Sequence, residues 1–441
     1  MSVLPEREKG YPFVAPRGAE AEAGYDRIAA SGLFDPTFYR ATYGVASDQD
    51  ALSHFLTIGL AKGHLPSANF DPVLYRLAVA DCGQANPLLH YLAHKAHVAI
   101  PRLEEVFPDL IEKFKRKVPE VARVPAPKPE KLQRHLANLD KVALERTIRV
   151  GVGGQDYRVE VPAKDFFFER LRRNDSFAFA RLTHGYWDGL SIHNRIAGDP
   201  RLSPLMPAQR RSLASRIGQA AQPHHGTFIE GFVEEISELI VRHRKEPRFF
   251  NSVAFKGFPT ADEDLFNAKV TPDHRSDRLN LLKATFAADD RLLDASLCKR
   301  LAFSGDLMAL PPLCRNRHVV LIGPDYFHDL QQRWNLPEFT HVSIPRHLTH
   351  LIRWQVLDKV RTVLADLVGK PGPKPVVLLQ CGSMAYWLIG QLFSWRSDIF
   401  YIDLGQALNI WFTDVAEMPT FEWIHFYQAA AGKREGDSGQ P

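Results

Sequence analysis

The chain is poor in cysteine: Cys82, Cys298, Cys314 and Cys381 are the only four in 441 residues, and no two stand at metal-ligand spacing. That excludes a disulfide-built secreted scaffold and a zinc module, and points to reduced thiols in a cytoplasmic protein. It lacks an excess of charge, with 55 basic against 51 acidic side chains and a formal net charge of +4. Nucleic-acid binding therefore gains no support from bulk electrostatics. It also lacks a long apolar run, since no stretch approaches the roughly 18 residues of a spanning helix. The opening "MSVLPEREKGYPF" carries charges and prolines where a signal peptide needs an apolar core. The expected location is the cytoplasm, with room for a peripheral place at the inner face of the membrane. Finally, Gly151-Val152-Gly153-Gly154 leads into a second strand pattern rather than a helix, which excludes a nucleotide loop there.

What is present begins with a repeat. "LFDPTFYR" at 33–40 returns as "NFDPVLYR" at 69–76, and the same 36-residue interval joins Asp35 to Asp71, Tyr39 to Tyr75 and His54 to His90. Asp-Pro reads as a helix start, with Asp at the N-cap and Pro in the first turn. A glycine such as Gly63 closes the unit. Residues 25–117 are thus expected as an all-α module of two stacked helical repeats, after a loose arm at 1–24. The proline-rich 118–140 is expected as a linker.

From 141 to 430 the pattern is that of an α/β domain. "RTIRVGV" and "DYRVEVP" form a hairpin, and "SFAFARL" (176–182) is a strand with Thr183–Gly189 as the turn at its end. Residues 195–310, including the whole run "DRLNLLKATFAADDRLLDASLCKRLA", read as mostly helical, with one strand near "RFFNSVAF". Then "HVVLIG", "THVSIP", "VVLLQCG" and "IFYIDLG" alternate with amphipathic segments. Short apolar runs of this kind specify a Rossmann-like parallel sheet with flanking helices, whose ligands sit beyond the carboxyl ends of the strands. The tail 431–441 is expected to be disordered.

Those strand ends supply the candidate site. Arg181, His184, Gly185, Tyr186 and Asp188 lie within eight positions of one another. An arginine there can grip phosphate, while Asp188 or His184 can serve as base or metal ligand. The competing role for this stretch is a capped turn over a packed Trp187. Gly382-Ser383 opens a helix after a buried strand, which makes either an anion site or a simple cap. Asp403 can accept a sugar hydroxyl or cap the following turn, and Asp325, after Gly323, offers the same in weaker form. Arg346 adds a cation to this edge.

These motifs, taken in order, resemble the GT-D type bacterial glycosyltransferases: "SFAFARLTHGYWDG", then "VVLIGPDYFHDL" and "HVSIPRHLTHLI", then "VVLLQCGSMAYWLIGQL…IFYIDLGQALNIW". The likeness covers about 160–415. The 36-residue repeats are similar to those found beside such domains in bacterial surface-polysaccharide proteins. The resemblance implies a nucleotide-sugar donor, a divalent cation (Mn or Mg), and a glycan, lipid-linked or protein acceptor. It also implies that the repeats meet other polysaccharide-biosynthesis proteins. The family's Asp-x-Glu, implied to hold cation and diphosphate, falls here on His184-Gly185-Tyr186, which leaves Asp188 as the substitute metal ligand. Two other readings stand beside this one: a non-catalytic transferase-like scaffold, and a methyltransferase using S-adenosylmethionine.

Overall fold

The computed structural model describes residues 19–115, 130, 146–223, 225–229, 231–254, 272–345, 349–367 and 372–412. Residues 1–18 of the expected arm, the expected linker apart from residue 130, the tail, the segment beyond 412 and Arg346 lie outside these residues; the last six residues of the expected arm are not loose but open the helix Ala19–Ala30. The chain divides into two units: the described parts of Met1–Lys117, Gly189–Glu234 and His350–Trp354 form one, and those of Val118–Asp188, Glu235–Thr349 and Gln355–Pro441 the other.

The first unit is all helical. In both copies of the repeat the aspartate caps its helix: Asp35 accepts from the backbone N–H of Thr37 and Phe38, and Asp71 from those of Val73 and Leu74. Prolines in the first turn cost nothing there, because those N–H groups have no intrahelical partner. The hydroxyl of Tyr39 lies 2.9 Å from Nδ1 of His54, and that of Tyr75 lies 2.9 Å from Nδ1 of His90. A third helix, Pro108–Phe114, opens at the same interval after Pro36 and Pro72, with Phe107 in the capping position. The sequence reading takes 103–117 as an amphipathic helix interrupted by Pro108, but does not place it in the 36-residue register, because the Asp and Tyr markers are missing.

This helical body is not confined to 25–117, as expected from sequence. The helix Pro207–Ala221 belongs to it. Its Leu213, Ala214 and Ile217 are buried with Val73, Leu74, Leu110 and Phe114 in one apolar cluster. Polar contacts fix the join. Arg216 Nε lies 2.8 Å from Asp71 Oδ2, its Nη1 donates to the Gly63 carbonyl at 2.9 Å, and Ser212 Oγ donates to that carbonyl at 2.8 Å. Gly63 sits at φ 82°, and a Cβ there would press on the backbone of Gln209, so this helix end requires glycine.

The second unit holds a nine-stranded sheet of order β1-β2-β5-β4-β3-β9-β8-β6-β7. The strands are β1 (Arg146–Val152), β2 (Gln155–Val161), β3 (Ala178–Leu182), β4 (Phe249–Val253), β5 (Leu292–Asp294), β6 (Val319–Gly323), β7 (Phe339–Ser343), β8 (Val376–Leu379) and β9 (Phe400–Asp403). β1 and β2 pair antiparallel, and the other neighbours are parallel. The hairpin is thus not a separate feature but one end of the same sheet. β5 corrects the expectation of helix through 277–302: the helix Pro272–Thr285 ends, three buried residues form the strand, and a new helix runs Leu297–Ser304.

Alternate strand residues (Phe179, Phe250, Leu293, Leu321, Leu378 and Ile402) face one core with Phe167, Leu301, Phe327 and Trp334. On the other side lies the helix Met384–Trp395, nearly all of it buried. Two covered faces explain why these strands are apolar runs without alternation. Each fully buried Leu, Ile or Phe contributes roughly 1.5–3 kcal/mol, against ~0–1 kcal/mol for an exposed ion pair such as Arg291–Glu160. Burial therefore holds this unit together. No helix among the described residues is long and apolar enough to cross a membrane.

Candidate functional site

The carboxyl ends of β3, β9 and β5 converge on one guanidinium. Arg181 points its Nε at the carbonyl oxygen of Ala295, just past β5, at 2.8 Å. Its Nη1 stands 3.6 Å from Oδ1 of Asp403, the last residue of β9, and the two side chains are only 11% and 5% exposed. Gly405, at φ 50°, donates its N–H to the same Oδ1 at 2.9 Å. A Cβ on Gly405 would overlap the Arg181 guanidinium, so the glycine is what makes room for it. Asp403 therefore takes the capping role its position suggested, accepting from the turn that follows, and it is also the counter-ion to Arg181, a partner its place in the sequence did not suggest.

Burial pushes the Asp403 carboxyl up from 3.8 to about 6, with Arg181 and the Gly405 N–H drawing it partly back. The same desolvation raises the thiol of Cys298, which donates to the Asp403 carbonyl at 3.5 Å, to about 12, and raises that of Cys381 as well. Neither thiol is poised as a nucleophile at neutral pH.

The raised carboxyl has a thermodynamic consequence. A carboxyl that titrates higher folded than unfolded stabilises the fold fully below about pH 4 and loses that contribution as pH climbs through about 6. The span corresponds to about 3 kcal/mol. Urea denaturation of wild type should therefore show stability falling from pH 4 to 7 through this group. Asp403→Asn should remove that slope; an unchanged slope would show that Asp403 titrates normally.

The segment after β3 differs from its expected form. Strand pairing starts at Ala178 rather than Ser176, and the polar turn is the first turn of a helix, His184–Ala197. The Thr183 carbonyl accepts from the N–H groups of Tyr186 and Trp187, at 3.0 and 3.4 Å. Tyr186 and Trp187 are buried, 1% and 0% exposed, with their rings edge to face at 5.6 Å between centroids. Gly185 faces open space. Asp188 is one-third exposed, and its Oδ1 accepts from Arg278 Nη2 of the helix Pro272–Thr285, in an ion pair 2.6 Å long. Arg278 also donates to the Trp187 carbonyl at 3.0 Å. The side chain of His184 lies outside the described residues.

At β6 and β8, Gly323 ends its strand against the ring of Phe327, and Asp325 is exposed. Gly382 turns the chain at φ 61° and Ser383 precedes the helix that opens at Met384. The Ala385 N–H donates to the Gly382 carbonyl at 3.2 Å in the turn that opens this helix. Gln380, just past β8, donates to Asn409 Oδ1 at 2.8 Å.

The structure thus joins Arg181 to Asp403 and gives Asp188 to Arg278, a residue 90 positions away that sequence reading had no means of pairing. A third carboxylate at this edge, Asp294, lies 3.5 Å from Arg300 Nε and accepts from Ser296. Among the described residues no group of three His, Cys, Asp or Glu side chains is placed to hold a metal ion. Asp188, Asp294 and Asp403 each face an arginine, so these three carboxylates do not fit the divalent cation that the resemblance implies.

Comparison with protein-family models, curated proteins and solved structures finds no match for this chain.

Proposed function

We propose that this chain is a nucleotide-sugar glycosyltransferase of bacterial surface polysaccharide or glycoconjugate assembly, with its donor at the carboxyl edge of the sheet. The observation that carries the reading is Arg181, a guanidinium held by the Ala295 carbonyl and Asp403 on a central strand of a parallel sheet. Ligands of such sheets bind at that edge. The ordered motifs of the sequence and the glycan-associated repeats support the same reading. In it the sheet is Rossmann-like, and residues 25–117 are an all-α repeat module that meets other proteins of the pathway in the cytoplasm or at the inner membrane face.

Arg181 and the N–H groups that open the helix at Met384 would carry the charge of the departing diphosphate. Asp188, which solvent still reaches, is the carboxylate for an acceptor hydroxyl, with Arg278 holding its orientation. Neither Asp188 nor His184 is assigned to a metal, and no step passes through one.

The test is a thermal-shift screen of common nucleotide sugars, in EDTA and in manganese. At least one donor should stabilise the native state, because occupancy of that state raises its melting temperature, and the shift should survive EDTA. No shift with any donor would sink the reading. The arginines opposite Asp188, Asp294 and Asp403 also favour a second reading, a donor-binding scaffold without turnover. Binding with no transfer and no donor hydrolysis would select it.

A further inference from the structure

We infer that Gln380 and Asn409 form a carboxamide pair that reads the hydrogen-bonding edge of the donor's nucleobase; this rests on the glycosyltransferase reading and assigns a part of its substrate to named residues. The pair stands where the sheet changes direction. The chain leaves β6 outward to β7 and leaves β8 the opposite way to β9, while β6 and β8 are neighbours. Loops diverging from adjacent parallel strands open a crevice, which is the general ligand position in such sheets.

Gln380 lies across that crevice. Its Nε2 donates to Asn409 Oδ1 at 2.8 Å and stands 3.4 Å from the hydroxyl of Tyr326, which follows β6. Gln380 is 8% exposed and Asn409 1%. Yet Gln380 Oε1 and Asn409 Nδ2, both fully buried, have no hydrogen-bond partner among the described residues. Turning both amides round would exchange the atoms and still leave one acceptor and one donor over.

Buried polar groups are normally satisfied, so an unmatched acceptor beside an unmatched donor marks something that completes them. The complement is an uncharged group with a donor next to an acceptor, which is the edge every nucleobase presents: an imide N–H beside its carbonyl, or an exocyclic amine beside a ring nitrogen. The spacing suits a nucleotide. Gln380 is three residues before Ser383, so base edge and diphosphate would be held by one turn of chain around Gly382, at φ 61°. A site built on hydrogen bonds discriminates strongly, because the wrong partner leaves its polar groups unmatched.

The test titrates the full chain with UDP, CDP, ADP, GDP and inorganic pyrophosphate by calorimetry, in wild type, Gln380→Glu and Asn409→Asp. Wild type should prefer one base. Each variant, which puts an acceptor-only carboxylate where an amide stood, should weaken that nucleotide by roughly tenfold or more, while pyrophosphate affinity stays where it was. Should a carboxylate at so buried a place unfold the domain by circular dichroism, Gln380→Met and Asn409→Ser carry the same expectation. Nucleotide affinity unchanged in the folded variants would overturn the inference and give the pair to a buried water. Failure of every nucleotide to bind wild type would instead defeat the glycosyltransferase reading itself, and this inference with it.

Discussion

Arg216→Met is expected to cost about 3–5 kcal/mol of stability, because it leaves Asp71 buried without its cation. The pair is close to sealed, with side chains 6% and 12% exposed and Nε 2.8 Å from Oδ2. The same guanidinium also donates to the Gly63 carbonyl at 2.9 Å, Ser212 Oγ at 2.8 Å and Asp71 Oδ1 at 3.1 Å, so these acceptors lose a donor together with Asp71 Oδ2. The first copy of the repeat supplies the control. Asp35 caps its helix in the same way but is exposed, so Asp35→Ala should cost only the cap, about 1 kcal/mol. Urea denaturation followed by circular dichroism measures both. A loss below about 1 kcal/mol for Arg216→Met would mean that the pair is solvated and worth no more than a surface bridge. Adding Asp71→Asn to Arg216→Met should recover part of the deficit, since the charge left behind is the main penalty.

Arg181→Ala is expected to act on both function and stability, with a pH signature that tells the two apart. Under the proposed function it should lower donor affinity or turnover by roughly 10²-fold or more, the scale for losing one preorganised charge donor. Arg181→Lys should restore little, since an ammonium cannot reach the Ala295 carbonyl and Asp403 together as the planar fork does. On stability the sign follows from Asp403. Without the arginine its carboxyl titrates still higher than about 6, so the variant folds with a neutral Asp403 at pH 5, where it loses little. At pH 8 ionising that buried group should cost of the order of 3–5 kcal/mol. Denaturation curves at the two pH values check this; equal losses at both would refute the electrostatic coupling of Arg181 to Asp403.

Much of this architecture could be read from residues alone, and the failures have physical causes. β6, β8 and β9 were legible because a strand buried on both faces must be apolar throughout, as Val319–Gly323 is, and because glycine or aspartate ends each run. β5 was not, since Leu292–Asp294 is too short to outweigh the helical spacing on either side. The helix start at His184 was hidden by Gly185 and Gly189, which argue for a turn on propensity. Packing overrides this at Gly189, where a Cβ would collide with Thr227 and His225. At the site, Arg181 and Asp403 were found separately through their places at strand ends. Their pairing, and that of Asp188 with Arg278, depends on which strands and helices become neighbours across 90 residues or more, and no local pattern encodes it.

The sheet order also has a consequence in time. β3 pairs with β9 through Ala178 and Tyr401, so the two strands at the centre of the sheet are made at opposite ends of the domain. At roughly 5–20 residues per second, a ribosome needs about 10–45 s to travel the intervening 220 or so residues. During that interval β3 can already join β4, but its other hydrogen-bonding edge stays open, and an open edge recruits foreign strands. Closure waits for Phe400–Asp403 to emerge from the exit tunnel, so the last of the described strands to be synthesised seals the middle of the sheet. A nascent chain stalled before Phe400 should be held by chaperones or aggregate, however complete its first eight strands are.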